Sequence, residues 1–266
     1  MKKYELILES KKVIYGITLY QIRSLIKIDK PGINPGDVGG WVEKESNLSM
    51  SGNAWVSGNA RVYGNARVYD DAQVYDDARV YGDAWVDGNA RVYGNAQVYD
   101  DAWVADNAQM YGNAQVYDDA WVYGDAQVSG DAWVYGNARV SGDARVSGNT
   151  QVYDSAQVYG KALVSGNAQL YGSAQVYGNA RVHGDARVYG NAQAEFSFQC
   201  LSVCGLRFSF TATSSDKSIQ IGCTKKELKK FTKEDKGKLP RTLVGPYTEL
   251  AKALQKIQKV EERLRK

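Results

Sequence analysis

From residue 54 to residue 192 an alanine recurs every six positions, twenty-four positions in all, and only Thr150 departs from it. Two residues after each comes an aliphatic side chain. Val fills twenty-one of these places, Met110 and Leu170 two more, and Ala194 closes the series. The unit is A-x-V-x-[GD]-[ND], and its middle residue x is usually Arg, Gln or Trp. In an extended segment the outer two residues of A-x-V share one side and the middle one points the other way. Each unit therefore predicts a short strand with Ala and Val inward and x outward. The dipeptide that follows (GN, GD or DD) suits a tight corner, because Gly, Asn and Asp accept unusual backbone angles at low cost. A helix is excluded, since Gly and Asp-Asp every six residues would break it and six does not match a 3.6 period.

A strand of three residues cannot bury a core by itself, so the units must stack into a solenoid. The residue after each Val decides how many sides a coil has. At a spacing of eighteen, Tyr63, Tyr81, Tyr99, Tyr117, Tyr135, Tyr153, Tyr171 and Tyr189 form one unbroken column. The other two columns mix Tyr with residues such as Asp87, Ala105, Ser129 and His183, and a spacing of twelve gives no clean column. Trp85, Trp103 and Trp121 are also eighteen apart. Eighteen residues thus make one three-sided turn. The units then form eight coils over residues 54–194, roughly 38 Å tall at about 4.8 Å per strand spacing. Val and Ala fill a narrow triangular core, each buried Val contributing about 1.5–3 kcal/mol before conformational entropy is charged against it.

The A-x-V-x-G-N unit resembles the hexapeptide repeat of left-handed parallel β-helices. The resemblance covers residues 54–192 and implies left-handed coiling, against the right-handed rule for most parallel crossovers. More narrowly, the opening GDVGGWVEKESNLSMSGNAWV and the closing IQIGCTKKELKKF resemble phage and prophage hexapeptide proteins of a group filed as polymer-forming cytoskeletal proteins. That likeness brings no established activity with it.

The ends of such a shaft need covering, because a solenoid cut flat exposes unpaired strand edges. Residues 1–51 read as a β-rich cap, with YELILE, KVIYGITLYQIRSLIKI and the turn-rich PGINPGDVGGW. Residues 52–194 are the repeat. Residues 195–266 read as two or three strands within 195–223, then a helix opened by a Thr224/Glu227 capping box. A second helix is expected after Pro246. Its apolar stripe is Tyr247, Leu250, Leu254, Ile257 and Leu264, and Glu261 in the seam argues against a free coiled coil. The fold class is therefore an all-β solenoid with a β cap in front and a small β-plus-helical cap behind.

Charge divides along the chain more sharply than the total of +3 suggests. Residues 52–194 hold sixteen Asp, no Glu, eight Arg and one Lys, a net −7. Residues 195–266 hold sixteen Lys or Arg against eight acids, a net +8. Turn chemistry accounts for most of the Asp, and the imbalance also fits a shaft that attracts a basic partner. MKKYELILES has no apolar run of a signal peptide, and no stretch approaches the ~20 apolar residues of a membrane span. Cys200, Cys204 and Cys223 are expected as thiols rather than a disulfide framework. A soluble protein of the bacterial cytoplasm is the expectation.

Hexapeptide β-helices include acyltransferases that rest on a His general base. Here the one His, His183, occupies an ordinary place in the repeat with no inserted loop to build a pocket. A base without a pocket or an orienting carboxylate is rarely catalytic. A three-His metal site, an ice-binding Thr ladder and a phosphate-cradling Gly loop are absent from the sequence too. No enzyme activity, cofactor or metal is expected.

The Trp are harder to assign to architecture. Trp85, Trp103 and Trp121 take an outward position that Arg and Gln fill elsewhere. Tyr81, Tyr99 and Tyr117 lie one corner before them, with Asp83, Asp100, Asp101, Asp118 and Asp119 between. This predicts one contiguous aromatic and acidic patch, and exposed aromatic patches tend to be interaction sites. The expected function is a rigid scaffold or protein-interaction module of phage origin, binding a protein partner through this patch. Self-association through the terminal regions is a second expectation, and neither nucleic acid nor a membrane is an expected partner. The alternative is a stoichiometric inhibitor of a host defence factor, its acidic shaft imitating nucleic acid or another acidic ligand.

Overall fold

A computed structural model describes residues 2–29 and 31–194, together with four short strands between 201 and 227. The repeat builds a three-sided parallel β-solenoid. Every A-x-V unit contributes a two-residue strand, x and V, from Trp55–Val56 to Gln193–Ala194. Through Gln175–Val176 each pairs in parallel with the strand eighteen residues on, as Trp103–Val104 does with Trp121–Val122. The strands sort into two eight-stranded sheets and an eleven-stranded one. The Ala and Val columns are fully buried over most of the shaft. Thr150 is tolerated at an Ala position because its hydroxyl donates to the Ser147 carbonyl at 2.7 Å.

The corners show why Gly and Asp alternate there. The first corner residue takes a left-handed conformation, as Gly or as one of six Asp (Asp70, Asp76, Asp100, Asp106, Asp118 and Asp154). Each coil lies so close on the next that a Cβ added to Gly82 would meet the Asp100 amide nitrogen at 2.7 Å. Where Asp replaces Gly, its carboxylate accepts the N–H of the following coil. Asp106 accepts from Gly124 at 3.0 Å and Asp118 from Gly136 at 3.1 Å. The second corner residues link coil to coil, Asn95 donating to Asn113 and Asn113 to Asp131. Many of the sixteen Asp are thus structural acceptors.

The front cap reaches further into the shaft than the repeat indicates. Strand β1 (Tyr4–Ile14) pairs antiparallel with β2 (Ile17–Ser24), and β2 pairs with β3 (Val38–Val42). β3 then lies in parallel on Arg61–Val62, and Leu48 bridges Val68. Residues 38–49 therefore start a turn ahead of the eight regular coils, for about nine turns in all. Side chains stand in for the missing rung. The buried Lys3 ammonium donates to the Ala54 carbonyl at 3.0 Å, and Asn47 Nδ2 to those of Ala66 at 2.8 Å and Gly64 at 3.1 Å. Burial lowers the Lys3 pKa to about 8, with Asp71 pulling the other way. Trp55 lies beneath this cap at 1 % exposure, although it occupies the outward place of its unit. Gly39 is needed for that contact, since a Cβ there would lie 2.8 Å from the Trp55 ring.

Later in the chain, Leu201–Ser202, Phe210–Thr213, Ser218–Ile221 and Thr224–Glu227 form a four-stranded antiparallel sheet. The helix expected from Thr224 and Glu227 is not there. Those residues pair with Ile221 and Ser218, so cross-strand pairing overrides a four-residue local signal. The helix expected after Pro246 lies outside the described residues. Among the described residues no helix is long and apolar enough to cross a membrane.

If Asn47 seals the first corner, Asn47→Ala leaves two carbonyls unpaired, at a cost of about 1–3 kcal/mol. Hydrogen exchange should speed up by about fivefold or more at the Gly64–Val68 amides and stay unchanged beyond residue 110. Parent-like exchange at that corner would contradict the surrogate-rung account.

Candidate functional site

The three faces of the shaft are chemically distinct. Each carries the column of middle residues x and, beside it, the column of residues that follow Val. Tyr99 shows which face the second column serves, because its hydroxyl donates to Gln115 Oε1 at 3.2 Å, across its own face. Tyr81 reaches Gln97 in the same way at 3.5 Å. The residue after Val thus leans back over the strand it leaves.

This placement separates two groups that the sequence reading joins. Tyr81, Tyr99 and Tyr117 belong to one face, here the Tyr face, with Arg79, Gln97 and Gln115. Trp85, Trp103 and Trp121 pair directly in a neighbouring sheet, the Trp face. Asp100, Asp101, Asp118 and Asp119 lie on the corner between. The contiguous Tyr–Trp–Asp patch is therefore two surfaces meeting at an acidic edge. The tyrosines that flank the three Trp on their own face are Tyr69 and Tyr123. They follow Val68 and Val122, and the lean of that position is a backbone property that residue spacing does not display.

On the Tyr face the eight rings from Tyr63 to Tyr189 stack in parallel. Successive centroids are 4.8–5.2 Å apart and tilted by no more than 11°. That spacing is the rung spacing, so the column follows from in-register pairing of identical residues. Burial between rings pushes the phenol pKa of Tyr81 and Tyr117 up to about 12, and neighbouring Tyr and Asp add to it.

The Trp face has a different geometry. The indole planes of Trp85 and Trp103 meet at 66° and those of Trp103 and Trp121 at 68°, with centroids 6.4 and 4.9 Å apart. Trp103 is held by its indole N–H, which donates to Asp87 Oδ2 at 2.9 Å. Trp85 and Trp121 are 42 % and 38 % exposed. Each end of the column carries a cation of the protein itself. Arg67 sits over Trp85 at 5.4 Å and Arg139 over Trp121 at 5.1 Å. Burial pushes the Asp87 carboxyl up; the bond from Trp103 works against this, while Asp70 and Asp106 reinforce it. Beside the rings is a hollow of about 240 Å³ lined by Trp103, Ala105, Asp106, Trp121 and Tyr123.

Eight segments, 60–72, 72–87, 96–112, 108–124, 114–130, 138–154, 156–172 and 174–190, match the family model of the YdcK Beta solenoid repeat. Over these segments the shaft is similar to the YdcK β-solenoid repeat. The matches run along the coils that carry both aromatic columns. No curated protein matches the sequence. The matches mark this part of the chain as a structural repeat. Its third face carries a hollow of about 420 Å³ lined by Asp125, Gln127, Asp143, Arg145, Lys161 and Leu163. His183 is exposed on that face and does not line this hollow. Among the described residues no three His, Cys, Asp or Glu side chains converge as a metal site would require.

The Tyr column makes an alkaline prediction. An unfolded Tyr ionises near pH 10, whereas Tyr81 and Tyr117 hold their protons to about 12. The folded state binds the extra protons, so this stability is complete below about pH 10 and is lost as pH rises toward 12. A tyrosinate absorbance titration should show a late-ionising subset, and the melting temperature should fall across that window. Nineteen Tyr titrating together near pH 10 would contradict the stacked column.

Proposed function

We propose that the solenoid is a rigid, non-catalytic interaction module that binds a protein partner through the Trp face. One observation carries this reading. Trp103 is oriented by Asp87 and flanked in register by Trp85 and Trp121, at a position where the fold is satisfied by Arg or Gln. The stacked Tyr column has an architectural explanation that this edge-to-face Trp column lacks. Trp also carries a large share of binding energy at interfaces, most of all at the centre of a patch. The solenoid contributes rigidity, since its rungs are fixed by backbone pairing and need little ordering on binding. Catalysis has no support from His183, exposed within an ordinary repeat. The likeness of the flanking segments to phage and prophage proteins directs the search for the partner to a bacterial host.

The test is capture from host lysate with the intact protein, followed by affinity measurement on what is captured. Trp103→Gln should leave the fold unchanged, because Gln97 and Gln115 fill equivalent places, and should weaken binding about tenfold or more, the ~2 kcal/mol of a central aromatic. Trp133→Gln is the control. Trp133 is 39 % exposed but lies alone on the Tyr face between Gln115 and Gln151. Trp55, buried under the cap, cannot serve, since its replacement would disturb the fold. Binding that survives Trp103→Gln would overturn the Trp-face reading. A steep loss of affinity with added salt would favour the acidic-mimic alternative. His183→Ala should change nothing measurable, and acyl-CoA-dependent turnover abolished by it would refute the non-catalytic reading.

A further inference from the structure

The hollow beside Trp103 has a specific cause. In the column that follows Val on the Trp face, Tyr69 and Tyr123 bracket Asp87 and Ala105. Ala105 stands where a Tyr would stack on Tyr123, and the next residue in the column, Ser141, is also small. Among the described residues the Tyr123 ring stacks on no other, unlike the Tyr of the unbroken column. The missing ring leaves a notch with Ala105 as floor, Trp103, Trp121 and Tyr123 as aromatic walls and Asp106 at the rim. Asp106 spends Oδ2 on the Gly124 N–H at 3.0 Å, which leaves Oδ1 for another donor.

The column shows what these rings attract. Its two outer members each carry a guanidinium of the protein's own, Arg67 on Trp85 and Arg139 on Trp121. A planar cation over an indole face is a favourable contact, worth more as it is desolvated. Between the two lies Trp103, over which no cation sits among the described residues. Beside it lie Asp87, which accepts its indole N–H, and Asp106; burial raises the Asp87 carboxyl, and the charges of Asp70 and Asp106 raise it further. The shaft as a whole carries a net −7 over residues 52–194. Aromatic walls, a carboxylate rim and a negative surface are complementary to a cation on a flat group.

Resting on the Trp-face reading, we propose that the notch over Ala105 receives an arginine side chain of the partner protein. Its guanidinium lies against the rings of Trp103, Trp121 and Tyr123 and donates to Asp106. The ligand class is a basic peptide segment presenting one arginine to the notch, with neighbouring residues crossing the Trp column.

The probe is the blocked tripeptide acetyl-Gly-Arg-Gly-amide, titrated into the full-length protein and followed at the indole N–H resonances. The citrulline tripeptide, of the same shape without the charge, and the disaccharide cellobiose are the comparisons. The arginine peptide should shift the Trp103 and Trp121 signals saturably, with the citrulline peptide at least about tenfold weaker. Ala105→Tyr fills the notch with the residue that positions 69 and 123 already hold, and Asp106→Asn keeps a left-handed corner while removing the charge. Each should weaken the arginine peptide by about tenfold, and Trp133→Gln should not. Ala105→Tyr binding as the parent does, citrulline equal to arginine, or cellobiose outcompeting the arginine peptide would each overturn the notch proposal. The two readings separate cleanly. A captured partner lost with Trp103→Gln but retained with Ala105→Tyr leaves the Trp face standing and removes the arginine notch.

Discussion

Everything in this protein depends on the parallel, in-register pairing of each two-residue strand with its counterpart eighteen residues on. Trp103 N–H donates to the Ala120 carbonyl and Ala105 N–H to that of Val122, both at 2.9 Å, and the same pair of bonds recurs along the shaft. A two-residue strand is unstable alone. Stacked, its backbone groups are satisfied above and below while Ala and Val close the triangular interior. The constraint runs outward as well. Because register is fixed, whatever occupies one position in one coil lies directly on its equivalent in the next. Columns of like residues are therefore a consequence of the fold, whether or not a ligand uses them.

That consequence separates ordinary columns from the unusual one. Stacked phenol rings at the rung spacing are what in-register Tyr must do. Acidic corners likewise have a structural use, since Asp takes the left-handed place of Gly and caps the N–H of the next coil. The Trp column departs from this pattern: its rings meet edge to face, its centre is pinned by Asp87, and its ends are covered by arginines. Its neighbouring column is broken at Ala105, so a hollow opens where the repeat would otherwise be flat. Interruption of the repeat, rather than the repeat itself, is what makes one face distinctive.

Much of the architecture was legible in the sequence because period six and period eighteen act through direct contacts. Ala54 to Ala192 marked the inward face, and the Tyr63–Tyr189 column marked the three sides. The front cap was less legible. Its rungs at Trp41–Val42 and Leu48 lack the Ala marker, and two extra residues fall between Leu48 and Val56. Its surrogate donors, Lys3 and Asn47, are far from their acceptors in sequence. The Thr224–Glu227 segment looked helical because capping signals are local and strand pairing is not. The candidate site was half legible. Spacing aligned Trp85, Trp103 and Trp121, but it could not show that Tyr81, Tyr99 and Tyr117 lean onto another face, nor that Tyr123, Ala105 and Asp87 belong with the Trp.

The eighteen-residue register can be tested directly by engineered cross-linking, with Cys200, Cys204 and Cys223 replaced by serine. Gln97→Cys combined with Gln115→Cys places two thiols on adjacent rungs of one face. Their backbones are then about 4.8 Å apart, within the range a disulfide spans. Gln97→Cys combined with Gln109→Cys places them on different faces. The account predicts rapid intramolecular oxidation of the first pair with the fold retained, and none of the second. Oxidation of the 97/109 pair in preference to the 97/115 pair would contradict the three-sided coil, and with it the assignment of Trp85, Trp103 and Trp121 to one column.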